Sequence, residues 1–178
     1  MTRLAGAVYY RHDDYASFWL RLLVDLIDAV TAGAICCLAI LALSAFVPPR
    51  SVLFVCAAIW FCYFVLLKRS RGGTVGYRLC GVRIVGLDGQ RAGLVPLTIR
   101  MLLMVFGPFN YLLDLAWMAN DAQRQALRDK VAGTYVAKKN AVPAGSGMLT
   151  YRAYFILGYS FLFREVQVES SASQTESF

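Results

Sequence analysis

Three charged side chains in the first apolar segment have the spacing of one helical face. Arg21, Asp25 and Asp28 stand at i, i+4 and i+7, so a helix places them on one stripe, which Thr31 extends. The stripe carries one negative charge in excess, and ionisable groups inside a membrane often mark paths for ions or protons. The functional interpretation of the stripe is a cation or proton site. The structural alternative is that Arg21 pairs with Asp25 at the membrane surface and only fixes the depth of the helix.

The composition indicates that this stripe belongs to an integral membrane protein. The 178 residues are 58% hydrophobic and 16% charged, and the mean hydropathy is +0.54. A soluble domain is about 45–50% apolar and about 25% charged, so a disordered chain, a coiled coil and an ordinary soluble enzyme are excluded. The net charge of +7 comes from 18 Lys and Arg against 11 Asp and Glu. It is interpreted as positive charge retained on the cytoplasmic side, not as a nucleic-acid surface.

The residue types that carry metal or cofactor chemistry have no useful spacing. Four of the five cysteines lie in apolar runs, where a thiol acts as a small hydrophobe, and Cys80 stands alone. The single histidine, His12, has no second histidine or cysteine near it. The glycines between Gly72 and Gly81 lack the spacing of a phosphate loop. We therefore predict no cofactor, no metal site and no enzymatic activity.

Two apolar segments predict a pair of antiparallel transmembrane helices. They are Phe18–Val47 and Ser51–Leu67, and Pro48-Pro49-Arg50 separates them. The first would be about 45 Å long against a hydrocarbon core of about 30 Å, so we expect it to tilt or project. The polar residues before it lack the features of a cleaved signal peptide. The first helix is thus expected to act as its own uncleaved signal, with the N-terminus in the cytoplasm.

Two basic stretches are expected to lie on the cytoplasmic side. Lys68 to Arg91 contains six Lys and Arg, and Asn120 to Lys139 contains five. Within them, Val82–Val85 alternates like a strand before an Asp-Gly turn, and Thr134–Ala137 can pair with it. The prediction is a short cytoplasmic strand pair whose basic loops hold anionic lipid.

The third apolar segment, 94–118, is long enough to span, yet one crossing would place the second basic stretch outside the cell. Gly107-Pro108 also breaks a helix at its centre. A re-entrant hairpin that turns near Gly107–Asn110 removes both difficulties. It would set Arg100 and Asp114 side by side, whereas a straight spanning helix would hold them about 20 Å apart.

The C-terminal part, 141–178, contains an aromatic and hydrophobic stretch at 148–163 and a polar tail. Sixteen residues make about 24 Å of helix, which is marginal for a span. The stretch is interpreted as a third membrane helix, an interfacial helix or a segment that docks on a surface. With a membrane domain over 1–140, the predicted fold is an all-α membrane protein with one short strand pair.

Three blocks of sequence resemble the RDD-domain membrane proteins, and they follow that family's order. The blocks are Tyr15-Ala16-Ser17-Phe18-Trp19-Leu20-Arg21 with Leu26-Ile27-Asp28, Gly73-Thr74-Val75-Gly76-Tyr77-Arg78-Leu79 with Val82-Arg83-Ile84-Val85, and Arg124 to Val136. By motif position, the arginine and two aspartates that name the family are Arg21, Asp28 and Asp129. Arg100 and Asp114 also fall where the family tends to carry such residues.

The resemblance implies a multi-pass protein of a bacterial inner membrane. It also implies transport of a small ligand or cation, with cation/proton antiport as the concrete form. Two or three spans are too few to enclose a pathway in one chain, so transport would require a homo-oligomer. The alternative is a non-catalytic accessory or scaffold subunit that binds a membrane partner protein. In that case the polar membrane cluster Arg21, Asp25, Asp28, Arg100, Asp114 and Asp129 would be structural.

Overall fold

A computed structural model of the chain describes residues 6–105, 114, 117–118, 121, 123–156 and 159–167. Helices form one part of the described structure, and two small antiparallel sheets form the other. In chain order, the elements are β1 (Ala7–Tyr9), a 3-10 turn (His12–Asp14), α1 (Phe18–Leu43), α2 (Pro49–Phe61), a π-helical segment (Cys62–Leu67), α3 (Val75–Leu79), β2 (Val82–Gly86), α4 (Leu94–Val105), α5 (Leu127–Ala132), β3 (Thr134–Lys138), β4 (Gly145–Ile156) and β5 (Tyr159–Gln167).

The two predicted apolar helices are present, with somewhat different ends. The hydroxyl of Ser17 caps α1 by accepting from the Leu20 amide, and α1 ends at Leu43, four residues before the predicted end. Pro49 stands in the first turn of α2, where its missing N–H costs nothing. The π-helical segment continues α2 to Leu67, and its widened turn buries Tyr63, Phe64 and Val65 in succession.

The length, apolarity and exposure of these two helices make them candidate membrane spans. Their mean hydropathies are 2.3 and 2.1, and only 17% and 22% of their most apolar stretches are buried. The core helix of a soluble protein would be mostly buried. Here large apolar side chains such as Trp19, Leu41 and Phe54 are at least 74% exposed. Such outward faces suit the hydrocarbon of a bilayer.

The predicted strand pair is also present, one residue longer in each strand. β2 and β3 run antiparallel, with Ile84 opposite Val136. The residues just before α1 pair with the other edge of β3, where the Ala16 amide donates to the Val136 carbonyl at 2.9 Å. The strand pair is thereby attached directly to the start of the first membrane helix.

A second sheet makes the all-α prediction wrong. Its strand order is β1-β4-β5, with long antiparallel pairing between β4 and β5. The stretch 148–163, which we expected as a helix or a docking segment, lies mostly within these two strands. Aromatic residues favour the pleated surface of a sheet, and each of the two strands is long enough to pair extensively with the other. Those two features outweigh its hydropathy.

A core of tyrosines joins the two sheets. Tyr10, Tyr15 and Tyr135 are at most 4% exposed, and their ring centroids lie 5.5–6.3 Å apart. The Tyr15 hydroxyl accepts from the Tyr10 amide at 3.0 Å, so this polar atom is satisfied inside the core. Together with α5, the two sheets form one body, called the cap below, at the end of the membrane helices where α1 begins and the π-helical segment ends.

The predicted hairpin of segment 94–118 is described only at its flanks. α4 carries Arg100, and Asp114 lies in a helical turn; both side chains contact α5 residues. The two flanks of the segment therefore meet at one element, as a hairpin requires. The predicted turn near 107–110 lies outside the described residues.

Candidate functional site: a buried cluster of charged side chains

Asp129 is the point at which three helices are joined. It is the third residue of α5 and is fully buried, and its Oδ2 accepts from the Ala126 amide at 3.3 Å. Its two carboxylate oxygens also form ion pairs with Arg21 of α1 and Arg100 of α4. One carboxylate therefore holds two guanidinium groups from helices far apart in the chain. The N-terminus of a helix also favours a negative charge at this position.

Both arginines are anchored by further acceptors on their own chain. Arg21 donates to the Ala16 carbonyl at 3.3 Å and to the Arg124 carbonyl at 2.6 Å. Arg100 donates to the Thr134 hydroxyl at 2.9 Å, which ties α4 to the first residue of β3. A guanidinium has five donors in a fixed fork, so these extra bonds fix its orientation.

Arg128, the neighbour of Asp129, makes the second set of ion pairs. Its guanidinium pairs with Asp25 of α1 at 2.5 Å and with Asp114 at 2.9 Å. Asp114 also accepts from the backbone amide of Arg128 at 2.7 Å. The arrangement mirrors that at Asp129: there one carboxylate holds two arginines, and here one arginine holds two carboxylates.

Asp28 is bound differently, because its hydrogen-bond partners are neutral groups. Its Oδ1 accepts from the Tyr63 hydroxyl at 3.0 Å and from the Gly76 amide at 2.7 Å. Its Oδ2 accepts from the Thr74 hydroxyl at 2.6 Å. These donors come from the π-helical segment and from the start of α3, so Asp28 fixes the loop that follows the second membrane helix.

Gly76 allows this contact because it has no side chain. A Cβ atom there would lie 2.4 Å from the Val24 carbonyl oxygen and 2.8 Å from Asp28 Oδ1. Both distances are well inside van der Waals contact, and the first involves backbone of α1 that cannot move aside cheaply. α3 therefore meets α1 by direct backbone approach.

A third ion-pair group links α5 to the C-terminal hairpin. Lys130 is 3% exposed and pairs with Asp121 at 2.5 Å and with Glu165 of β5. Burial favours the neutral amine, but the hydrogen bonds that the ammonium donates to these two carboxylates outweigh burial and raise the pKa of Lys130. The successive residues 128, 129 and 130 of α5 thus form three separate groups of ion pairs.

The charges of the main cluster are close to balance. Arg21, Arg100 and Arg128 face Asp25, Asp28, Asp114 and Asp129, which leaves one negative charge in excess. Lys68, half-buried at the end of the second membrane helix, adds a positive charge that Asp25 and Asp28 attract. Among the described residues there is no group of His, Cys, Asp and Glu arranged to hold a metal ion. Chemically, the cluster is a set of mutually satisfied side chains.

The family model described as the RDD family matches residues 15–133, which include every member of this cluster. The chain belongs to the RDD family. A relative in Bacillus subtilis (strain 168), the uncharacterized protein YckC, is 29% identical over 127 residues, which are 68% of this chain and 83% of the relative. No solved structure matches the chain. With two apolar helices, RDD membership identifies a membrane-protein domain.

The structure brings all six predicted residues of this RDD domain into one region. Each of the six is at most 5% exposed. The expected direct pairs are replaced, however. Arg100 pairs with Asp129 where we expected Asp114, and Arg21 pairs with Asp129 where the structural alternative expected Asp25. The physical reason is that α5 inserts between the helices and offers charges of both signs.

Sequence reasoning missed the residues that α5, the π-helical segment, the start of α3 and the start of β3 contribute. They are Arg128, Lys130, Tyr63, Thr74, Gly76 and Thr134. Arg128 had a usable signal, because two buried carboxylates without cations require another arginine nearby. Thr74 and Gly76 stand in the second of the resembling blocks, but their role depends on a contact that periodicity does not reveal.

We predict that Asp129→Asn destabilises the protein by about 3–5 kcal/mol, because it leaves two buried guanidinium groups without their shared carboxylate. The free energy of unfolding is measured in detergent by denaturant titration. Asp13→Asn is the matched control, since Asp13 is exposed, and it should change stability by less than about 0.5 kcal/mol. Equal stability of the two variants would contradict the assignment.

We also predict that Gly76→Ala separates α3 from α1 and weakens the bond to Asp28, without removing any charge. The expected loss of stability is about 1–3 kcal/mol, as for other overpacked contacts. Gly33→Ala is the control, because a Cβ at Gly33 meets nothing within 4 Å. That substitution should be neutral or stabilising, since alanine is the better helix former. A Gly76→Ala protein as stable as the Gly33→Ala protein refutes the close approach.

Proposed function

We propose that the chain is a non-catalytic accessory or scaffold subunit of a membrane protein complex. In this role the charged cluster locks the cap onto the membrane helices. The observation that carries the proposal is that each cluster carboxylate is already hydrogen-bonded or ion-paired to groups of the same chain: Asp25, Asp28, Asp114 and Asp129. Breaking such buried pairs to admit a ligand would be costly.

The proposed location is the bacterial inner membrane, with multiple passes and with the N-terminus and the cap in the cytoplasm. Eleven of the 18 Lys and Arg fall in the two stretches 68–91 and 120–139. At the opposite end of the two helices, Arg50 in the first turn of α2 is the one Lys or Arg between residues 22 and 67. This asymmetry supports a cytoplasmic cap because positive residues are retained on that side.

The surface offered to a partner is the hairpin of β4 and β5. It lies beyond the residues that the family model matches, so it is an addition to the RDD domain. Tyr151 and Leu162 are each 67% exposed on it. Exposed aromatic and aliphatic side chains suit the centre of a protein interface. The partner is thus a different membrane protein with a complementary apolar surface.

Transport of a cation or proton is the second candidate, and Asp28 supports it. Its hydrogen-bond donors are the neutral hydroxyls and the amide described above, so its charge is not directly cancelled by a bonded arginine. A carboxylate in such surroundings can exchange a proton for a metal ion. One chain has too few spans for a pathway, so this function would require a homo-oligomer.

The scaffold proposal is tested by purifying the full chain from its native host in mild detergent. We expect a partner protein at a fixed stoichiometry. Tyr151→Ser/Leu162→Ser should release it, because the substitutions remove the apolar contact. The control is Leu79→Ser/Val142→Ser, which changes two residues of 72% and 73% exposure away from the hairpin. A homo-oligomer without partners would contradict the proposal.

Transport is tested by cation-coupled proton movement in proteoliposomes, read with a pH-sensitive dye. Under the scaffold proposal, the wild-type chain moves no more protons than liposomes without protein. Flux in the wild type that is lost in Asp28→Asn and kept in Asp88→Asn would establish the second candidate instead. Asp88 is exposed and accepts a hydrogen bond from the Gln90 amide in the nearby turn. Asp88→Asn therefore controls for the loss of one carboxylate.

A further inference from the structure

A groove of about 450 Å³ opens beside the end of the second membrane helix. The chain from Lys68 to Gly73, α3, β2 and the turn Gly89–Ala92 form its walls. Its floor is apolar and includes the buried side chains of Tyr77, Val82, Ile84 and Leu97. A volume of this size is within the range of ligand pockets, about 300–1,000 Å³.

Positive side chains surround the groove. Six cations line it: Lys68, Arg69, Arg71, Arg78, Arg91 and Lys139. A seventh, Arg83, donates to the Ala141 carbonyl at 2.8 Å. No described Asp or Glu lines the groove. Its potential is therefore strongly positive over a small area.

These six cations differ from the arginines of the buried cluster. Within the part of the chain that the structure describes, none of the six forms an ion pair, whereas Arg21, Arg100 and Arg128 each pair with at least one aspartate. Six like charges around one groove repel one another, and a bound anion would relieve that repulsion. The groove thus has the charge of an anion site whose ligand comes from outside the chain.

Lys68 links the groove to the membrane domain. Its ammonium lies 4.6 Å from the Tyr77 ring centroid and 5.2 Å from that of Phe64, so both rings hold it by cation–π contact. Burial lowers the pKa of Lys68 to about 8. An anion beside it would favour the charged form and would raise that pKa.

We propose that this groove binds an anion with two or more phosphoryl groups. Guanidinium forks match phosphate oxygens in pairs, and six cations exceed what one singly charged group can neutralise. The apolar floor would contact the rest of the ligand. Two sources share this chemistry: a lipid with two phosphates in its headgroup, which the position at the end of a membrane helix favours, and a soluble polyphosphate. The groove adjoins the charged cluster only at Lys68, and its other five cations lie outside that cluster, so the proposal does not depend on the scaffold function.

The test uses the purified full chain in nanodiscs. In the soluble arm, sodium tripolyphosphate is titrated by calorimetry into chain held in neutral phosphatidylcholine. In the lipid arm, native mass spectrometry compares cardiolipin with phosphatidylglycerol at equal total lipid charge. The groove variant is Arg71→Gln/Arg91→Gln, since both residues are exposed and their loss should not disturb the fold. The control is Arg11→Gln/Arg152→Gln, which removes two exposed cations of the cap outside the groove.

We expect one arm to show binding that the groove variant weakens about tenfold or more and the control changes less than about twofold. Binding in the lipid arm identifies a diphosphorylated headgroup as the source, and binding in the soluble arm identifies a free polyphosphate. No binding in either arm overturns the proposal. Equal weakening in both double variants also overturns it, since that result means unspecific attraction of charge. Equal occupancy by cardiolipin and phosphatidylglycerol counts as no binding in the lipid arm, and it overturns the proposal when tripolyphosphate does not bind either.

Discussion

The architecture depends on one carboxylate, that of Asp129, placed between two arginines from different helices. Arg21 lies in the first turn of α1 and Arg100 lies in α4. Both form ion pairs with the same buried carboxylate. A buried arginine without a partner is strongly unfavourable, so neither helix keeps its position unless α5 is present between them. Arg128 repeats the constraint with opposite signs at Asp25 and Asp114. A six-residue helix therefore sets the packing of the membrane domain.

The cap and the membrane helices are joined by polar contacts beside an apolar core that includes Val24, Val65 and Val136. Asp28 accepts from one donor in the π-helical segment and from two at the start of α3, and Gly76 lets α3 touch the backbone of α1. Such bonds have strict geometry, whereas apolar contact tolerates sliding. The cap therefore has one defined orientation on the helices. The groove beside Lys68 and the β4–β5 hairpin consequently have fixed positions relative to the lipid-facing surfaces.

The membrane helices and the β2–β3 pair were predictable because each carries a local signal, hydropathy in one case and alternation in the other. Residues such as Arg21 and Asp28 were also found, since charge in an apolar segment is conspicuous. Their partners were not found, because pairing is a contact over long sequence separation that spacing does not encode. We expected Arg100 to pair with Asp114 because both are seven residues from Gly107 in the sequence. Asp129 of α5 is the acceptor that Arg100 pairs with instead. The β4–β5 hairpin was missed since hydropathy was weighed above strand propensity.

The bond between Arg21 and Asp129 spans 108 residues of sequence, and this separation has a consequence for biogenesis. While the chain is being made, α1 leaves the ribosome long before α5 exists. Until then Arg21 and Asp25 lack their ion-pair partners in α5, so the start of α1 remains more stable in water than in hydrocarbon. The late synthesis of α5 completes the neutral cluster. A chain truncated before residue 128 would carry unpaired charges beside apolar helices. Unfinished molecules would differ from finished ones by these exposed charges.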